Sequence, residues 1–352
     1  MLPEVVVTNL HRRFTGVSAT VRALVPRQRA DLPVAVWDWG GLGLGEEIGP
    51  AALLRWGWRR PAAGRWRIWH ARRDIEILIG LVLRSLLRQP WRVVFTSAAP
   101  KRPGWMLRQL IRACDAVVAT SPRSAAFLDR CDRVIFHGVD CDWFQPPADR
   151  QALLAEVGLT QQRCIACFGR IRPSKGTDLV VEALIAMLPR HPGWVGVITG
   201  LCQDRDRAFL EALQARIKAS QLDERILFVG DLSPRQIRRW YQRAEICVAA
   251  SRREGFGLTP LEAMASGCVP VTSGAGAWPW ILRADFGVLV ETGNLASLIA
   301  GLEGLLADPA ALQSMQTTAR AVAVAEHSIA AEVAALHQLY AELSSSGAPG
   351  PP

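Results

Sequence analysis

No apolar run in the 352 residues reaches the roughly 18 that a membrane-spanning helix needs. The N-terminus, Met1-Leu-Pro-Glu-Val-Val-Val, lacks the basic segment and apolar core of a secretory signal, so the reading places the protein in the cytoplasm. A disulfide framework is missing as well. The eight cysteines are scattered through apolar stretches, as at Cys114, Cys247 and Cys268, which fits a reducing compartment. Cys164 and Cys167 do form a C-x-x-C, but within a strand-like run where alternate side chains face opposite ways. They read as small core residues rather than a redox or zinc pair. No nucleic-acid module accompanies the basic charge, and the glycine-rich loop through Gly49 lacks the pattern of a dinucleotide fingerprint. Disorder is expected only in the Ser/Gly/Pro tail, residues 344–352.

Half of the residues are hydrophobic, and the length leaves room for two domains that each bury a core. The formal charge of +9 is uneven: residues 1–150 hold 23 Lys/Arg against 13 Asp/Glu, and the remainder is nearly neutral. A basic half attracts anionic lipid, phosphorylated substrates or nucleic acid by the same physics. Between residues 53 and 70 arginine and tryptophan interleave densely (Arg55, Trp56, Trp58, Arg59, Arg60, Arg65, Trp66, Arg67, Trp69), and a similar mixture returns from Lys101 through Trp105 to Arg112. Tryptophan favours the membrane interface and arginine binds lipid phosphate. The expectation is a peripheral seat on the anionic inner face of the cytoplasmic membrane, with no nucleic-acid partner.

Strand-like runs alternate with helical stretches along the chain: residues 4–8, 32–37 and 114–120 in the first half, then 165–169, 195–200, 226–229, 246–250 and 268–272. This alternation predicts two parallel α/β domains. Pro146-Pro147 reads as the linker, giving a first domain at 1–145, a second at 146–325 and a last helix at 326–343.

Two loops carry chemistry. Arg170-Ile-Arg-Pro-Ser-Lys175-Gly176 follows a strand and opens a helix. A guanidinium fork and an ammonium five residues apart, with backbone N–H groups between them, suit a diphosphate. The second loop, Glu254-Gly255-Phe256-Gly257-Leu258, precedes a short helix with Thr259 as the predicted N-cap, Pro260 at the first helical position and Gly267 as the left-handed stop. Its glycines let backbone N–H groups come close to a bound anion or sugar hydroxyl. Glu262 has two readings. With Thr259 it completes a capping box, and with Glu254, seven residues intervening, it brackets the turn with acids. Glu254 has no helix to cap.

This stretch, with the strand before it and Gly267-Cys-Val-Pro-Val after it, resembles the paired-glutamate signature of glycosyltransferase family 4, the retaining nucleotide-sugar transferases of GT-B fold. Trp69-His70-Ala-Arg72-Arg, followed by Val93-Val-Phe-Thr-Ser97, is similar to the bacterial lipopolysaccharide core mannosyltransferases within that family. The resemblance implies an α/β protein of two Rossmann-like parallel domains facing a central cleft, the last helix crossing back to the first domain. It implies transfer of a sugar, mannose from GDP-mannose, to lipopolysaccharide core with retention and without a metal or other cofactor. Donor contacts would come from Gly16, Arg170, Lys175, Leu232, Glu254, Gly255, Phe256, Gly257, Leu258 and Glu262, with Glu254 on sugar hydroxyls and Glu262 on the ribose. Catalytic roles fall to Arg170, Lys175, Glu254 and His70, and acceptor contacts to His70 and Arg72. Asp140-x-Asp142, which by itself invites a divalent ion, matches the family's interdomain segment instead. Ala275-Gly-Ala-Trp278-Pro-Trp280 departs from the acidic or glycine-rich loop often found there in relatives. A UDP-sugar transferase acting on another glycolipid or polysaccharide, and a noncatalytic nucleotide-sugar-binding protein, are the alternatives.

Overall fold

Valine- and isoleucine-rich runs bounded by turns build two six-stranded sheets, parallel throughout, because helical crossovers return the chain to the same edge. The computed structural model describes residues 2–13, 15–62 and 64–345. One unit ends at Gly138 and resumes at Ile329; the other is Val139–Ser328.

In the first unit β1 (Val5–Asn9), β2 (Val34–Asp38), β3 (Arg67–Ala71), β4 (Trp91–Ser97), β5 (Ala116–Ala119) and β6 (Arg133–Val134) lie in the order β2-β1-β3-β4-β5-β6. Alternate residues serve opposite faces. Val5, Val7, Ile68 and Val94 pack with residues of the helices Gly16–Gln28 and Ile329–Ser345, whereas Val6, Trp69, Trp91 and Val93 build a tryptophan-rich layer on the other side. There Trp69 meets Trp37 and Trp91 edge to face, at centroid distances of 5.9 and 5.7 Å. Trp56 and Trp69 are therefore core, and Arg67 is buried with them, its Nε donating to the Pro3 carbonyl. This corrects the expectation that the Trp/Arg stretch from 53 to 69 serves as a whole in a membrane seat: β3 occupies the end of that stretch, and a strand inside a parallel sheet is covered on both faces. Trp58 stays exposed, as do Trp105 and Met106 at the start of the helix Trp105–Arg112.

In the second unit β7 (Arg163–Phe168), β8 (Trp194–Thr199), β9 (Ile226–Gly230), β10 (Ile246–Ala249), β11 (Val269–Ser273) and β12 (Val288–Val290) take the order β12-β11-β10-β7-β8-β9. Cys164 and Cys167 belong to apolar clusters on opposite faces of β7, and burial pushes the Cys167 thiol up to about 12, as core residues require. The helices Leu295–Ala307 and Pro309–Glu326 bury Leu298, Leu302, Leu305 and Leu312 in the core of this unit. Among the described residues no single helix is long and apolar enough to cross a membrane.

The units part between Gly138 and Val139, not at the Pro146-Pro147 linker. Val139 N–H donates to the His327 carbonyl at 2.9 Å, and the Arg320 guanidinium holds the carbonyls of Phe144 and Cys141 at 2.8 and 3.1 Å, so this stretch is fastened to the second unit. The Asp140 carboxylate is spent on its own turn, accepting from the N–H groups of Asp142 and Trp143. The last helix runs Ile329–Ser345, so Ser344 and Ser345 form its final turn instead of opening a disordered tail; residues 346–352 of that expected tail lie outside the described residues.

That helix buries Ile329, Val333, Leu336 and Tyr340 in the first unit. Polar contacts set its register. Glu332 meets His137 Nδ1 at 2.9 Å and accepts from Gly138 N–H at 2.8 Å, while the Tyr340 hydroxyl lies 2.5 Å from His70 Nδ1 and accepts from Gln28 Nε2 at 3.4 Å. Tyr340→Phe leaves a buried imidazole nitrogen without its partner and is expected to cost about 1–3 kcal/mol, read as a lower midpoint in urea unfolding. An unchanged midpoint would show that the helix is held by its apolar face alone.

Candidate active site

The strand order of the second unit reverses at β7. The chain moves outward through β8 and β9 on one side, then returns to add β10, β11 and β12 on the other. At such a point the loops leaving neighbouring strands diverge and open a crevice at their carboxyl ends. Here it is lined by Gly169, Arg170 and Lys175 after β7, by Ser251, Glu254 and Gly257 after β10, and by Ser273, Ala275 and Trp278 from β11 onward.

Each loop is held by the next. Gly176 (φ +70°) passes so close to the end of β10 that a Cβ there would stand 2.0 Å from the Ala250 carbonyl oxygen. Arg252 N–H donates to the Ser174 carbonyl at 3.0 Å, and the Arg252 guanidinium grips both carboxylate oxygens of Asp178 at 2.7 Å. Lys175 Nζ is thereby set against Glu254 Oε2 in a salt bridge, while Gly255 N–H donates to Oε1 of the same carboxylate at 3.2 Å. The third loop is docked by Ala277 N–H on the Phe256 carbonyl at 3.0 Å and by the Ser273 hydroxyl on the Ser251 carbonyl at 2.6 Å. The crevice therefore gathers cationic groups, the exposed Arg170, Lys175 and the N-terminus of the helix Thr177–Met187, beside the Glu254 carboxylate. A ligand that joins anionic charge to hydroxyl groups matches both.

Glycosyl transferases group 1 is the family that matches residues 149–322. Over 314 residues the chain is 42% identical to the lipopolysaccharide core biosynthesis mannosyltransferase LpcC of Rhizobium leguminosarum bv. viciae, with 87% of each chain covered. Over 349 residues it is 38% identical to the lipopolysaccharide core biosynthesis mannosyltransferase LpsB of Rhizobium meliloti (strain 1021), with 97% of each covered. The chain belongs to the group 1 glycosyltransferases. The crystal structure of Anabaena Alr3699/HepE in complex with UDP shares the architecture over 95% of this chain and 98% of that one, with a TM-score of 0.79 at 17% identity. Two parallel six-stranded α/β units in one chain give it the GT-B fold.

The glutamate nearest the short helix of this glycosyltransferase behaves differently from its capping-box reading. The helix Thr259–Ala265 has Leu258, not Thr259, as its N-cap, with no capping bond from a side chain. Glu262 turns inward instead, its Oε2 accepting from the Tyr241 hydroxyl at 2.6 Å. Tyr241 itself stacks on Phe168 at 3.8 Å between centroids. Nothing near Glu262 in sequence marks this partner, which lies 21 positions earlier on another helix. Gly267, with φ +73°, does end the helix as expected. Phe256 is buried, and the Leu258 carbonyl accepts from Glu262 N–H as the helix begins. Leu232 lies outside the crevice, partly buried in the cluster around Trp240 and Tyr241, because β9 is the edge strand on the far side of β8.

In the first unit the expected site residues separate. His70 has no exposed surface; Nε2 lies 2.7 Å from Thr96 Oγ1 and Nδ1 is taken by Tyr340. Burial, and then the Arg72 charge, push its pKa well below that of ordinary histidine. Its side chain leaves β3 on the face covered by the C-terminal helix, so the catalytic and acceptor roles expected of it are corrected to a structural one. Arg72, beyond the strand end, lies with Arg73, Ser97 and Trp105 along a groove of about 630 Å³, and its Nε has no partner among the described residues. Gly16 opens its helix in free space, where a side chain would meet nothing.

Burial raises the Glu262 pKa above its ordinary 4.5, and the Tyr241 hydrogen bond opposes this only in part. The native state therefore holds the proton more tightly than the unfolded chain. That contribution is complete below the unfolded value and is lost as pH rises through the folded one. Glu262→Gln keeps an acceptor for Tyr241 and does not titrate. Its melting temperature relative to wild type is expected to climb as pH rises above the ordinary carboxyl value of 4.5; a constant difference would mean that Glu262 is solvated well enough to titrate normally.

Proposed function

We propose that this glycosyltransferase moves mannose from GDP-mannose onto lipopolysaccharide core, with retention at the anomeric carbon and without a metal ion. The observation that carries the reading is the Lys175–Glu254 salt bridge beside Arg170 in the switch-point crevice; the support for mannose and lipopolysaccharide is that relatives alike over most of their length carry those names. A diphosphate seated on Arg170, Lys175 and the amides opening the helix Thr177–Met187 takes over Nζ, and the released Glu254 carboxylate accepts from sugar hydroxyls. Negative charge on the leaving diphosphate grows as the anomeric bond breaks, so these cations stabilise the transition state more than the ground state. Retention follows when the leaving phosphate accepts the proton of the acceptor hydroxyl as that hydroxyl attacks from the same face. Glu262, one oxygen held by Tyr241, accepts from the ribose with the other.

Incubation with truncated lipopolysaccharide is expected to transfer mannose and release GDP from GDP-mannose, at a rate unaffected by a chelator. Transfer from a UDP-sugar alone would replace the mannose reading, and binding without turnover would leave a noncatalytic sugar-nucleotide binder. Lys175→Ala should lose a charge-assisted contact worth about 1.5–3 kcal/mol, roughly a ten- to hundredfold fall in kcat/KM. Near-normal turnover by the folded variant would remove Lys175 from the diphosphate site.

The acceptor is a glycolipid, and the exposed Trp105 (74%) and Met106 (62%), following Lys101 and Arg102, form the surface we assign to an anionic membrane. Each basic residue near such a surface contributes about 1 kcal/mol, fading beyond a Debye length of roughly 8 Å. The protein should sediment with anionic liposomes and be released by salt, and Lys101→Glu with Arg102→Glu should weaken the association. Binding indifferent to lipid charge, salt and both substitutions would reject the membrane seat.

A further inference from the structure

The loop after β11 brings a tryptophan into the crevice, where the family resemblance led to the expectation of an acidic or glycine-rich loop. Trp278 is only 2% exposed, yet it lines the crevice with Lys175 and Glu254. Its indole Nε1–H has no hydrogen-bond partner among the described residues. A buried donor left unpaired is costly, and in a native structure it points to a partner supplied from outside. Gly257 stands beside the donor. With φ +95°, this glycine has Nε1 of Trp278 at 2.7 Å and Cγ of Glu254 at 3.2 Å from the point where a Cβ would stand. The indole N–H and the stem of Glu254 thus converge on the same side of one residue, and only glycine lets them come so close.

The indole is a donor and nothing else, while the ionised carboxylate is an acceptor and nothing else. A hydroxyl satisfies both at once, accepting from one and donating to the other. A phosphate oxygen cannot: it can accept from the indole, but it has no proton for Glu254 and is repelled by it. Lys175 and Arg170 offer anionic oxygens a better place within the same crevice. The backbone that carries the indole is also fastened. Leu282 N–H donates to the Trp278 carbonyl at 2.9 Å, and Ala277, one residue before, is bonded to Phe256.

We propose that Trp278 is a sugar-binding residue, its Nε1–H donating to a hydroxyl of the transferred hexose whose own proton goes to Glu254. The inference rests on the crevice being a nucleotide-sugar site. Because a rigid indole cannot follow a hydroxyl to another position, it contributes to the choice of sugar and leaves the nucleotide alone.

Trp278→Phe keeps an aromatic ring and removes the N–H. Titration calorimetry on the full chain is expected to show GDP affinity unchanged within about twofold and GDP-mannose affinity lowered about tenfold, the loss of one hydrogen bond to a buried donor. Equal GDP-mannose affinity in wild type and variant overturns the proposal. A loss shared equally by GDP and GDP-mannose overturns it as well, because the indole then serves the loop or the diphosphate. Should the variant fail to fold, the indole N–H resonances of the ¹⁵N-labelled wild type decide: one moving downfield with GDP-mannose and not with GDP supports the contact, and identical spectra with the two ligands reject it. Wild type that binds GDP but not GDP-mannose, or neither, sinks the sugar-nucleotide reading and this proposal with it. The variant comparison, by contrast, sinks only the role of Trp278.

Discussion

A strand in a parallel sheet must be entered from the same end as its neighbours, and this constraint places every loop that follows a strand of the second unit on one edge. The sheet order then decides which loops are neighbours. β7, β10 and β11 are adjacent although helices, two other strands and some eighty residues separate the first from the second in sequence, so Lys175, Glu254 and Trp278 meet over their carboxyl ends. The reversal of strand order at β7 supplies the opening, and no residue in the crevice is there for its own sake.

The charges around this opening do two kinds of work. The Arg252 fork on Asp178 is bidentate and ties the loop after β10 to the helix after β7, so its value is in placement. Partly exposed ion pairs are worth only about 0–1 kcal/mol, which is too little to count in the stability of either unit. For the Lys175–Glu254 pair that weakness is an advantage. A bridge that costs little to open can be exchanged for a ligand that offers one partner a phosphate and the other a hydroxyl.

In the first unit the same edge logic is enforced by a buried carboxylate. Glu76 accepts from the Thr8 hydroxyl and Leu10 N–H at 2.9 Å, and from the N–H groups of Arg72 and Arg73 at 2.7 and 3.1 Å. It therefore joins the end of β1 to the end of β3 and presents the two arginine side chains along their groove. His70, two residues before Arg72, falls on the side where the C-terminal helix lies, and its imidazole is consumed by that docking. His70 inside β3 and Arg72 just past its end thus have opposite fates, one structural and one facing the groove.

The sequence alone determined the elements: apolar runs of strand length, the left-handed glycine stop at Gly267, the alternation that makes the sheets parallel, and the two loops whose residue types suit charge and hydroxyls. These depend on backbone preference and periodicity, which are written within a few residues. Tertiary structure decided the partners. Thr259-Pro-Leu-Glu262 satisfies every local condition of a capping box, yet Glu262 bonds to Tyr241, because the helix begins at the loop's convenience and a buried hydroxyl lies closer. Trp56 and Trp69 look like surface beside so many arginines, but they are core, since the sheet claims the stretch they stand in. The unit boundary passed over two prolines because Arg320, 176 residues on from Phe144 and 179 from Cys141, holds the carbonyls before them. Trp278 looked only like a departure from a pattern; what its indole faces depends on Gly257 and Glu254, and contacts between residues so far apart in the chain exist only once the sheet has formed.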